Sequence, residues 1–273
     1  MASQLAPAVG ANEAPELDLA AEALFRFLSA ALSDPRGDAW RLVLDPNNLR
    51  MAVLAVETLR DEFADHSLPL GFGELPIEDL DLRGVIAGLA QTPSEIRAEY
   101  ERVFGLVTCR ECPPYETEYH KNEDTFFRAQ EMADIAGFYH AFGIEPGAIA
   151  RERADFLPLE LEFLGFLQMK KRLAHAAATE ESAAQAEVCQ LAYSKFFADH
   201  IAWWVPSFCL ALRRQADQGL YAALGQVLAA LLPIERTRLG IAPPMMPLEA
   251  KTSEAPEDCD GCVPDDLVEL KTQ

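Results

Sequence analysis

Four of the six cysteines in the chain form two closely spaced pairs, Cys109/Cys112 and Cys259/Cys262. The spacing within a pair can place both thiolates on one tetrahedral ion, and two pairs would complete a four-thiolate zinc or iron site. Against this, 146 residues separate the two pairs, whereas compact zinc modules use far shorter separations. His120 offers a substitute ligand. Unligated thiols and a redox role therefore stay open beside metal binding, and no cofactor is required.

The redox alternative has the least support in the sequence. The first pair runs into two prolines and follows a helical pattern rather than a strand. A low thiol pKa needs cationic neighbours or a helix N-terminus, and Asp260 beside Cys259 opposes it. Cys189 and Cys209 lie on apolar helical faces, so we expect them to be core residues.

The segment after Cys112 combines stiff, aromatic and acidic residues. Two prolines lead into Tyr115, Glu116 and Tyr119, which offer rigid aromatic surfaces and hydrogen-bond acceptors. Such a mixture suits a groove that holds a peptide with basic residues at one end. An inter-helix connection whose tyrosines bond to the backbone explains the segment equally well, and both interpretations stay open.

A second group of aromatic residues shares one helical face. Phe196, His200, Trp203 and Trp204 follow three- and four-residue steps. Core packing is the simpler explanation of this face, and ligand binding is the alternative.

Several function classes are excluded or disfavoured. The chain lacks the Glu-x-x-His pairs of di-iron bundles, the zinc-binding His-Glu-x-x-His motif, glycine-rich phosphate loops and the nucleophile elbow, so we do not expect an enzyme. A net charge of −21, from 44 acidic and 23 basic residues, disfavours nucleic acid and stable membrane association. No apolar stretch reaches the roughly 20 residues of a membrane span. The N-terminus has no basic residue before Arg26, so we expect a cytoplasmic protein.

The positioning elements are predicted to be helices. Apolar residues recur at three- and four-residue steps along most of the chain, whereas strand-like alternation is missing. We therefore predict an all-α, single-domain helical bundle over residues 17–241, with a mobile N-terminal arm over 1–16 and an acidic, proline-containing tail over 242–273. Ser94 and Asp155 are the predicted N-caps of two of the helices.

Three separated stretches resemble the TorD/DmsD/NarJ family of cytoplasmic chaperones for molybdenum oxidoreductases. They are Tyr100–Gly105 leading into Pro113–Tyr119, then Arg153–Leu164, then Phe196–Phe208. Their order and separation match the family over about residues 17–235. The cysteine before the Pro-Pro-Tyr run is most similar to the branch that serves type II enzymes of the dimethyl sulfoxide reductase family.

The resemblance implies a TorD-like helical chaperone, monomeric or homodimeric, that binds an apo catalytic subunit and its twin-arginine leader. Binding would assist insertion of the molybdenum cofactor and delay export. The residues expected around the client site are Tyr115, Glu116, Tyr119, Asp155, Glu160, His200 and Trp204. Glu116 and Asp155 are the expected partners of the leader arginines. Many relatives have a histidine where this chain has Phe156, so any role of that histidine does not carry over.

Overall fold

The computed structural model describes residues 15–105, 111–120, 124–145 and 152–250. Within these ranges the chain forms α-helices and two short 3-10 helices, Ile77–Asp79 and Glu116–Glu118, and no β-strand. The prediction of an all-α protein is confirmed. The α-helices are α1 (Pro15–Leu32), α2 (Trp40–Leu44), α3 (Pro46–Phe63), α4 (Arg83–Leu89), α5 (Pro93–Phe104), α6 (Thr125–Ala141), α7 (Leu157–Ala177), α8 (Glu180–His200), α9 (Val205–Ala216) and α10 (Leu220–Arg238).

Two helices, α1 and α10, form the interior of the bundle. Helix α1 packs against α3 and α7, and α7 in turn packs against α8. Helix α10 packs against α9 and α4 and buries residues on every side from Leu220 to Arg236. A helix that is apolar nearly all round is expected in a core, because no face of it prefers water.

Helix α6 is different, because it lies at the edge of the bundle. Only Ile135 and Tyr139 among its described side chains are fully buried, and Phe126 in its first turn is 77% exposed. It packs lightly against α8 and the 3-10 segment at 116–118. Helix α6 therefore covers the side chains that lie between α8 and the 3-10 segment.

The described part of the C-terminal segment runs back over the bundle. The backbone N–H of Phe72 donates to the carbonyl of Pro244 at 2.7 Å, and that of Leu248 donates to Ser207 Oγ at 3.0 Å. The predicted arm up to residue 14 and the tail from residue 251 lie outside the described residues. No helix in the described part is both long enough and apolar enough to cross a membrane.

The N-terminus of α5 differs from its prediction. Thr92, not Ser94, is the N-cap: its hydroxyl accepts from the backbone N–H of Glu95, whose carboxylate accepts from the backbone N–H of Thr92. Pro93 is then the first helical residue, where its missing N–H costs nothing. The bond from the Thr92 backbone holds the pKa of Glu95 below its usual value.

We expect Thr92→Ala to lower the free energy of unfolding by about 1 kcal/mol, because it removes the side chain of the capping box. Urea denaturation followed by circular dichroism measures the change. Thr58→Ala is the matched control, since Thr58 lies within α3 and its hydroxyl only donates back to the carbonyl of Leu54. Equal losses in the two variants would contradict the capping role.

Candidate functional site

The loop before α6 is pinned to the start of α7. Tyr115 and Phe156 form an isolated antiparallel bridge. The backbone N–H of Glu116 donates to the carbonyl of Asp155 at 3.0 Å, and that of Leu157 donates to the carbonyl of Pro114 at 2.9 Å. These bonds bring the first two family-like stretches together, although about 40 residues separate the bonded residues in sequence.

Asp155 is bound by an arginine of its own chain. It is fully buried, and its two carboxylate oxygens accept from Arg153 at 2.9 and 2.7 Å. The backbone N–H of Thr117 donates to the same carboxylate at 3.1 Å. The prediction of Asp155 as a helix cap is therefore wrong: the N-cap position of α7 is Phe156, and no side chain caps it.

Arg153 links the loop to α7 through further contacts. It donates to Glu118 Oε1 at 3.0 Å and to Thr117 Oγ1 at 2.6 Å, and its guanidinium carbon lies 4.4 Å from the centre of the Tyr115 ring. Burial by itself lowers the pKa of Arg153, but the bonds to Asp155 and Glu118 outweigh burial and raise it. The arginine therefore remains charged and clamps the loop.

Glu116 is the centre of a second set of polar contacts. The carboxylate is almost fully buried, and its Oε2 lies 3.1 Å from His200 Nδ1 at the end of α8. Trp203 Nε1 donates to Glu116 Oε1 at 3.2 Å. The third family-like stretch therefore meets the first at this carboxylate.

The protonation of His200 is governed by its acidic neighbours. Burial disfavours the charged imidazole, but the hydrogen bond to Glu116 and the negative charges of Glu116, Asp134 and Asp199 outweigh burial and raise the pKa of His200. Its Nε2 lies 3.4 Å from a carboxylate oxygen of Asp134 on α6. His200 can therefore carry positive charge between two carboxylates.

Glu160, one turn into α7, lies beneath these groups. It is fully buried, and neither carboxyl oxygen has a hydrogen-bond partner among the described residues. Burial, followed by the negative charges of Glu116 and Asp155, raises the pKa of Glu160 well above its usual value. Burial therefore favours the protonated, neutral form of Glu160, which lies against Glu116.

The aromatic residues of the prediction belong to the core. The rings of Tyr119 and Trp204 lie 5.0 Å apart, both side chains are buried, and Trp204 Nε1 donates to the carbonyl of His200 at 2.5 Å. The structure thus brings all seven predicted client-site residues into one region. Six of them are buried, and only Tyr115 is partly exposed.

A half-exposed rim lies above the buried residues, between the loop and α6. His120 Nε2 lies 3.7 Å from Glu116 Oε1 and 3.7 Å from Glu131 Oε2, and its ring centre lies 4.4 Å from that of Trp203. Sequence reasoning missed Glu131 and Asp134. Their spacing of three residues places them on one face of α6, but the sequence around them does not show which loop that face covers.

The cysteine prediction is only partly covered by the structure. Cys112 is buried, and its thiol lies 3.7 Å from the carbonyl oxygen of Val103. Cys109, Cys259 and Cys262 lie outside the described residues, so the four-thiolate site stays a prediction. The expectation for Cys189 and Cys209 is confirmed: both are buried free thiols, and burial raises both pKa values.

Comparison with known proteins shows which family this part of the chain resembles. Residues 78–210, which contain all three family-like stretches, match the family described as nitrate reductase delta subunit. This region is therefore similar to that family, and the resemblance predicted from the sequence is confirmed.

Two relatives have more specific names. The chlorate reductase assembly chaperone protein of Ideonella dechloratans is 34% identical over 112 residues, which cover 41% of this chain and 54% of that protein. The selenate reductase assembly chaperone protein of Thauera selenatis is 32% identical over 115 residues, 42% of this chain and 56% of that protein. The chain thus spans about half the length of the curated relatives it matches.

Proposed function

We propose that the protein is a non-catalytic, cytoplasmic assembly chaperone for a molybdenum oxidoreductase of the type II dimethyl sulfoxide reductase family. The names of the chlorate and selenate reductase relatives support this assignment. The client is the apo catalytic subunit with its twin-arginine leader. Binding holds the subunit ready for cofactor insertion and delays export until insertion is complete.

The observation that carries the proposal is the convergence of the three family-like stretches on Glu116. A structural core needs no concentration of buried carboxylates, because burying a charge is costly. Here Glu116, Asp155 and Glu160 lie together under a rim that adds Glu118 and Glu131. An acidic site of this kind favours a basic partner such as an arginine-containing leader.

The direct contacts with the leader are proposed for the rim rather than the buried layer. Asp155 already binds Arg153, so its role is to position the loop. Glu152 and Asp134 are exposed and can receive arginines, and Tyr115 offers a partly exposed ring beside Glu152. Exposed arginine–carboxylate pairs contribute only about 0.2–1 kcal/mol each, whereas a buried apolar side chain contributes about 1.5–3 kcal/mol. Apolar contacts should therefore supply most of the affinity.

A tagged full chain purified from its native host tests the proposal. Mass spectrometry is expected to identify the catalytic subunit of a molybdenum oxidoreductase, and deletion of the chain is expected to leave that subunit without molybdenum. Recovery of no such subunit, together with normal maturation in the deletion strain, would overturn the assignment.

Variants locate the client surface. Tyr115→Ala is expected to weaken capture of the subunit by about 10-fold, the loss expected for about 1.4 kcal/mol of apolar contact. The control is Met51→Ala, in a separate apolar groove between α1 and α3 that Phe27 and Leu42 also line. A loss with Met51→Ala and none with Tyr115→Ala would move the client site to that groove.

A further inference from the structure

Buried Glu116 and two half-exposed side chains of the rim bring metal-binding atoms together. One oxygen of Glu116, Nε2 of His120 and one oxygen of Glu131 all lie within 4.8 Å of one another. Glu116 begins the 3-10 helix at 116–118, His120 lies just after that helix, and Glu131 lies in α6. The set joins two elements that otherwise pack lightly against each other.

The distances between these atoms fit an ion better than they fit hydrogen bonds. His120 Nε2 lies 3.7 Å from each of the two carboxylates, beyond the range of about 2.7–3.2 Å for a hydrogen bond. Two ligand atoms at about 2.1 Å from a tetrahedral ion are about 3.4 Å apart. The two separations from His120 Nε2 are therefore close to the edge length of a coordination tetrahedron.

Acidic side chains surround His120. His120 Nε2 has almost no solvent contact and no hydrogen-bond partner among the described residues. The fully buried Glu160 lies against Glu116. Arg153 is already engaged by Asp155 and Glu118. A dication at this position would offset the negative charge of Glu116 and Glu131 and would give His120 Nε2 a partner.

The ligands are also oriented from behind. His200 Nδ1 and Trp203 Nε1 hold the carboxylate of Glu116, as outer-sphere groups hold the ligands of metal sites. The Trp203 ring packs against the imidazole of His120 and restricts its rotation. These contacts thus hold Glu116 and His120 in position, and α6 contributes Glu131 as the third ligand.

We propose that Glu116, His120 and Glu131 bind one divalent first-row transition metal ion. One imidazole and two carboxylates suit zinc, iron(II) or manganese(II), and a three-residue set leaves a coordination position for water or a client group. The site is distinct from the thiolate site predicted at the cysteine pairs. The bound ion ties α6 to the loop that carries the client site.

Metal titration of the full chain tests the proposal. Protein stripped with a chelator is titrated with Zn²⁺ and with Co²⁺, and bound metal is measured by elemental analysis after desalting. We expect one ion per wild-type chain. Glu131→Gln and His120→Gln should each weaken the affinity for the ion by more than about 10-fold. Glu187→Gln and His140→Gln, which change exposed residues outside the ligand set, should bind as the wild type does. Circular dichroism confirms that each variant is folded.

Two further outcomes are decisive. The Co²⁺ protein should lack the intense near-ultraviolet charge-transfer band of thiolate ligands, and Cys259→Ser should retain the ion. Loss of the ion in Cys259→Ser with retention in Glu131→Gln would place the metal at the cysteines and overturn the proposal. Failure of the wild-type chain to bind either ion would also overturn it. The proposed chaperone function does not depend on these results, because client capture is measured separately.

Discussion

Replacing Arg236 with methionine is expected to lower the free energy of unfolding by about 3–5 kcal/mol, since it leaves a buried carboxylate without its partner. The Arg236 side chain is 2% exposed, and its Nε and Nη2 each donate to an oxygen of Glu74 at 2.9 Å. It also donates to the carbonyls of Ile241, at 2.9 Å, and Pro69. The arginine thus joins α10 to the chain on both sides of it. Urea denaturation measures the loss.

An exposed pair and a double variant control this prediction. Arg41→Met breaks an ion pair with Asp38 in which both side chains are more than four-fifths exposed, and it should change the stability by less than about 1 kcal/mol. Glu74→Leu/Arg236→Met removes both charges and should be less destabilised than Arg236→Met alone. A double variant no more stable than the single one would show that an unpaired charge is not the cause of the loss.

Replacing Arg153 with methionine is expected to cost about 2–3 kcal/mol and to weaken client capture as well. The substitution leaves the fully buried Asp155 with only the backbone N–H of Thr117 as a described donor. The cost is less than for Arg236 because the Arg153 side chain is 34% exposed and solvent screens part of the interaction. The loop around Tyr115 should then loosen, which hydrogen exchange of residues 113–118 measures.

Arg128→Met is a closely matched control for this second prediction. Arg128 is equally exposed, at 34%, and it pairs with the same Glu118, at 3.5 Å, but it bonds to no buried carboxylate within the described part of the chain. We expect a loss below about 1 kcal/mol and unchanged exchange in the loop. Arg153→Met/Asp155→Asn should recover part of the stability, because the buried charge is removed. Equal effects of Arg128→Met and Arg153→Met would refute the clamp.

Together the two arginines show how an acidic chain keeps buried carboxylates. Arg236, which is distant in sequence, neutralises Glu74. Arg153, two residues away, neutralises Asp155. Glu160 has no arginine or lysine partner among the described residues, and burial favours its protonated form by raising its pKa. The region around Glu116 is therefore the place where added positive charge, from a client arginine or a metal ion, has the largest effect.

The fold could be predicted because its information is local. Helices α1, α3 and α10 each carry apolar residues at three- and four-residue steps, so the buried face of each helix is visible in its own sequence. Helix α2 shows no such pattern, because five residues are too few to show a period. The N-cap of α5 was misplaced by two residues, because the sequence offers both Thr92 and Ser94 near Pro93.

By itself, the sequence determined the helical class, the resemblance to the family and seven of the residues that meet at the site. These properties follow from residue types and their spacing along the chain. Only the tertiary structure decided that Asp155 binds Arg153, that Glu160 is buried against Glu116, and that Glu131 reaches His120. The partner and the protonation of a buried side chain depend on which distant segments pack around it, and no local pattern specifies that packing.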